Sequence, residues 1–171
     1  MAVYRHFESK EDLLRAVGEG AFAAFQQRIF GLPEAPIETW LRSVSREYAQ
    51  FALDDPGQFE ACFVLRTHAE RIYPQDFRAG KSPVISLIAK KLEEAQASGQ
   101  LGSGDALELA MLFWAQIHGL VMLHRSGRFS LNRNEFLALC DRAGRLITGG
   151  LIQPPAPRAH TSKKRVGRRL R

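Results

Sequence analysis

Apolar residues recur three and four positions apart along most of the chain, the spacing of one face of a helix. Leu14, Val17, Ala21, Phe22, Phe25 and Ile29 form the first such run, and Gly31 with Pro33 closes it. A second helix is expected from about Pro36 to Asp54, with Ile37, Trp40, Leu41, Val44, Tyr48 and Phe51 on its apolar face. Asp54-Asp55-Pro56-Gly57 breaks it, and a shorter helix follows that carries Phe59, Phe63 and Val64 and extends to Leu65 or beyond. Tyr73-Pro74 marks a turn. A helix from about Ser82 to Ser98 then presents Val84, Ile88, Leu92 and Ala95 on one side. Gly99 to Gly104 reads as a loop. No strand alternation and no internal repeat appears, so the pattern predicts an all-α chain of about six helices after Ser9.

The next helix is apolar nearly all round. Met111, Trp114, Ile117, Leu120 and Leu123 leave it no clear polar side, which suits the middle of a bundle or a contact between subunits. Glu108, Gln116 and His118 interrupt Ala106 to Leu123, so a buried helix fits better than a membrane span. A last helix, about Asn134 to Ile152, carries one stripe: Phe136, Leu139, Cys140, Ala143, Leu146 and Ile147. Helix starts are marked by side chains that can satisfy unpaired amides. Ser9 can bond the amide near Asp12, and Asp105 precedes the apolar helix.

Charge changes the picture in one place. The chain has 171 residues and a net charge of +6. Seven of its 24 basic residues lie after Pro154, where there is no acid, so 17 basic residues face 18 acidic ones in the rest. The body is near neutral, and residues 154–171 read as a solvated, disordered basic tail that binds polyanions weakly and without reading sequence. Cys62 and Cys140 stand far apart and form no CxxC pair, which fits a reduced, cytoplasmic protein. No signal peptide is visible, because Arg5, Glu8, Lys10, Glu11 and Asp12 break up the N-terminus.

Tyr4-Arg5-His6-Phe7-Glu8-Ser9-Lys10-Glu11-Asp12-Leu13-Leu14 resembles the end of the DNA-binding domain in the TetR family of transcriptional regulators. There an aromatic Y-x-H-F segment closes the recognition helix, and a turn ending in S-K leads to the helix that connects the two domains. The resemblance implies that Tyr4, Arg5, His6 and Lys10 belong to the DNA-binding surface, with Tyr4 and Lys10 on phosphates. A phenol, an imidazole and an ammonium suit contacts that position a protein on DNA without specifying bases. Phe7 reads as core. The segments expected before Tyr4 in such a protein, two helices and half of the recognition helix, do not precede it here. Met1 is then expected to be an internal methionine of a longer protein, the alternative being a truncated form with no sequence-specific DNA binding.

Phe113-Trp114-Ala115-Gln116-Ile117-His118-Gly119 carries W-x-x-x-H-G and resembles a C-terminal subtype of the same family. Asp55-Pro56-Gly57-Gln58-Phe59, followed by Phe63, resembles the short helix before it. The implied organisation is the end of a helix-turn-helix domain with its connecting helix in 1–30, a helical ligand-binding and dimerisation domain in 31–153, and the tail in 154–171. Trp114 and His118 lie four apart on one helix face and, with Met111, would line an interior cavity. Phe59, Cys62, Phe63 and Tyr73 are candidates for the opposing wall. Such a pocket suits a small lipophilic effector. A Trp–His pair also fits packed core, with the imidazole bonded to a carbonyl or hydroxyl. Gly119 would allow close helix approach.

The last two helices would pair with those of a second copy in a homodimer, through Leu112, Leu120, Leu139, Ala143, Leu146 and Ile147, which fits two-fold operator DNA. No cofactor and no membrane partner is implied. His68, His118 and His124 with Cys62 or Cys140 have no metal-ligand spacing. A nucleophile–base pair and a phosphate loop are also missing, and Glu60, Glu70 and Asp76 read as solvated charges, so an enzyme is not expected.

Overall fold

The computed structural model describes residues 7–65 and 71–151, together with all side chains there except those of residues 147, 148, 150 and 151. Seven helices make up the described residues: α1 (Lys10–Phe30), α2 (Ile37–Asp54), α3 (Pro56–Phe63), α4 (Gln75–Arg78), α5 (Pro83–Ala97), α6 (Ala106–Arg125) and α7 (Arg133–Leu151). No strand occurs among these residues, so the fold is all-α as the periodicity predicts. The single turn of α4 is the addition. It follows a cis Tyr73–Pro74 peptide and is too short to show a period in the sequence.

Capping accounts for where several helices begin. Ser9 Oγ accepts the Asp12 amide at 3.1 Å. Asp105 Oδ1 accepts the amides of Leu107 and Glu108 at 2.9 and 3.1 Å. Asn132 Oδ1 accepts from the amides of Asn134 and Glu135, and Glu135 Oε2 accepts the Asn132 amide at 2.8 Å. That reciprocal pair satisfies donors on both sides of the α7 start. Pro56 and Pro83 occupy first-turn positions, where a missing N–H costs nothing. The Pro56 break is therefore also the start of α3, and α3 stops at Phe63 with Val64 as its cap, short of the expected extension.

The helices pack in pairs, α2 along α7, α1 on α3 and α5 on α6, around one core. An aromatic cluster fills its centre. Phe25 stacks on Phe51 at 5.3 Å between ring centroids, and Tyr48, Phe59 and Phe63 meet each other at 5.1 to 5.5 Å. Phe25 and Ile29 of α1 belong to this core, so α1 is built into the helical body. Every residue expected on the apolar face of α2 is buried. In α1 the expected face is narrower: Gly18, Ala21, Phe25 and Ile29 are buried, while Val17 stands 44% exposed.

Tertiary packing divides the two last helices. In α6, Ala106, Ala110, Phe113, Ile117 and Val121 form the buried stripe, and Leu112 (53%) and Leu123 face outward. By length and composition α6 could cross a membrane, but here it is packed against α5 and α7. The expected single stripe of α7 splits. Phe136, Cys140 and Ala143 turn into the protomer, Leu139 is half-buried, and Leu146 is 76% exposed. Arg42 of α2 holds Asp141 Oδ1 through Nε and Nη2 at 3.0 and 2.9 Å, a contact consistent with the face of α7 that the burial of Phe136 and Cys140 turns inward.

Candidate ligand cavity

A cavity of about 500 Å³ lies between α1, α2, α3, α5 and α6. Its inner wall is apolar: Phe25 from α1, Val44 from α2, Ile85 and Ile88 from α5, Phe113 and Ile117 from α6. All six are buried, so this end sits inside the core. Its outer end carries Arg15 and Glu19 of α1 and Arg71 of the segment before α4, all exposed. A space of this size with an apolar interior and few polar groups has the form of a small-molecule site.

Gly18 holds α1 close to α3 at the edge of this space. A methyl group there would come within 2.9 Å of the Ala61 carbonyl oxygen. The Cys62 thiol donates to the Gly18 carbonyl at 3.3 Å, and burial pushes that thiol up to about 11. It is a protonated thiol at neutral pH, a wall group rather than a nucleophile. Cys140 is likewise buried and pushed up to about 11.

One polar link crosses the wall. Tyr48 Oη lies 2.7 Å from His118 Nδ1. Burial holds the Tyr48 phenol far above its ordinary range, partly offset by the Trp114 side chain. Burial also lowers His118, favouring neutral imidazole. The phenol therefore donates, Nδ1 accepts, and the ring proton lies on Nε2. His118 faces the back of Tyr48 and not the cavity itself.

Of the wall residues selected from sequence, Cys62, Phe63 and Trp114 line the cavity. Phe59 is fully buried behind it, with its ring stacked on His118 at 6.1 Å. Met111 is half-buried against the core but off the cavity wall. Tyr73 is exposed and touches Phe77 rather than the cavity. Most of the wall comes from residues that sequence treated as plain core, in α1 and α5. Nothing in a periodic pattern separates a core residue that meets a neighbour from one that meets a space.

Tyr4, Arg5, His6, His68 and the tail lie outside the described residues, and Lys10 is exposed at the first position of α1. Leu112 and Leu146 are exposed, Leu120 and Leu139 are half-buried, and the side chain of Ile147 lies outside the described residues. Ala143 is buried inside its own protomer, because α7 turns it inward with Phe136 and Cys140. Gly119 has no atom within 4 Å of where its Cβ would stand, so it is not a close-approach point to another helix among the described residues. Among the described residues no three His, Cys, Asp or Glu side chains gather as a metal site.

Together these features define an all-helical domain built around a largely apolar cavity, with α1 on one side of it and α6 on the other. Residues 41–143 match the domain family described as Tetracyclin repressor-like, C-terminal domain, and the chain belongs to that family. The structure of a protein with unknown function from Rhodococcus sp. RHA1 is similar in fold. Its TM-score is 0.68 at 26% identity, over 86% of this chain and 76% of that one. No curated protein matches.

Proposed function

We propose that the chain forms the ligand-binding and dimerising part of a TetR-type transcriptional repressor that responds to a small lipophilic effector. The observation that carries this reading is what the cavity touches. Its wall includes α1, which follows the Y-x-H-F segment in sequence, and α6, whose outer face exposes Leu112 and Leu123. An effector in the cavity would contact the connecting helix directly through Gly18, Phe22 and Phe25. It would act by binding one orientation of that helix better than another.

Leu112 and Leu123 on α6 and Leu146 on α7 would be covered in a homodimer, with Gly119 letting the partner helix come close. Tyr4, Arg5, His6 and Lys10 would contribute the DNA-binding surface next to α1, and the setting would be cytoplasmic. An electrophoretic mobility assay in competitor DNA tests the reading. It compares this chain with one extended upstream in frame, on the DNA flanking its own gene. A discrete shift with the extended chain is expected. Smearing that is equal for both chains and lost with modest salt would leave only sequence-independent binding and overturn the repressor reading.

A further inference from the structure

The mouth of the cavity points to the chemistry of its occupant. Arg71 is anchored there twice. Its Nε–H donates to the Lys81 carbonyl, and its guanidinium carbon lies 5.2 Å above the centre of the Phe22 ring. Phe22 itself lines the cavity. Both anchors leave the Nη atoms of the fork without an acceptor among the described residues. Arg15, the other guanidinium at the mouth, is already paired with Asp12 of its own helix at 2.7 Å. Glu19 is present at the same mouth but forms no ion pair with Arg71.

We propose that the cavity takes an amphipathic organic anion, with its apolar body against Ile85, Ile88, Phe113 and Ile117 and its carboxylate on the fork of Arg71. The inference rests on the cavity being the effector site. A planar fork held at two points matches a carboxylate in bidentate fashion and loses little freedom on binding. Glu19 is an exposed side chain held by no partner in the described residues, so ordering it around a cation would cost more. The buried end offers no charged side chain, so the polar end of the ligand belongs at the mouth.

Titration calorimetry with laurate, dodecanol and dodecylammonium, each below its aggregation limit, tests this, with neutral Nile red as a fourth ligand. Laurate is expected to bind at least tenfold more tightly than dodecanol. Arg71→Gln should erase that preference by weakening laurate far more than dodecanol, and Arg71→Lys should restore it only in part. Equal binding of laurate and dodecanol would overturn the anionic head group and leave the cavity reading standing. The same holds for binding of Nile red without laurate, or for tighter binding of dodecylammonium, which would assign the mouth to Glu19. Binding of none of the four would overturn the cavity reading as well.

Discussion

Two glycines in α1 allow the closeness of α1 and α3 to be measured directly. Gly18 and Gly20 sit in the same helix, and both gain helix propensity on substitution by alanine, about 1 kcal/mol each. Their surroundings differ. A methyl group on Gly20 meets nothing within 4 Å. One on Gly18 meets the Ala61 carbonyl oxygen at 2.9 Å and its carbon at 3.4 Å, both backbone atoms of a packed helix that cannot rotate aside. Overpacking of this kind costs about 1–3 kcal/mol. Gly20→Ala should therefore stabilise the protein. Gly18→Ala should range from neutral to destabilised by about 2 kcal/mol, the overpacking less the propensity gain. The propensity term cancels between the two variants. At about 2–4 °C per kcal/mol for a chain of this size, Gly18→Ala should melt about 2–12 °C below Gly20→Ala. Far-UV circular dichroism at one fixed protein concentration reads the difference. Equal melting, or a higher value for Gly18→Ala, would refute the close approach.

Three further outcomes are expected. Tyr48→Phe leaves His118 Nδ1 without its donor, and denaturant titration should show a loss of about 1–3 kcal/mol, part of which Tyr48→Phe/His118→Leu recovers by removing both partners. Burial lowers His118 in the folded state, so below its unfolded value of 6.5 the unfolded chain takes up a proton that the folded chain resists. Stability should fall as pH drops below that value and be indifferent to this group above it, with the slope reduced in His118→Gln when melting is followed across the range. Asn132→Ala removes the acceptor for two amides at the start of α7 and should cost about 0.5–2 kcal/mol by thermal melting, while Ala138→Gly, at an exposed interior position, should cost about 1 kcal/mol through propensity alone.

The long helices and their caps were legible in the sequence because each depends on neighbours within a few residues. The 3.6-residue period of α2 and α5 and the acceptors at Ser9 and Asp105 act locally, and the structure follows them. The family match supports the TetR-like resemblance at the level of the C-terminal domain, without singling out the subtype that W-x-x-x-H-G implied. What sequence could not decide was the use of an apolar residue. Phe63 and Phe59 are four apart on one short helix, yet one lines the cavity and the other is sealed behind it. Ala143 and Leu146 share a stripe by period, yet the packing of α7 on α2 and α6 turns one inward and leaves the other exposed. Tyr48 counted as one more core residue until folding brought it, from 70 positions away, to His118. Hydrophobicity records that a side chain leaves water, without regard to direction. Whether it meets a neighbour, a cavity or a second chain is set by how the helices are stacked.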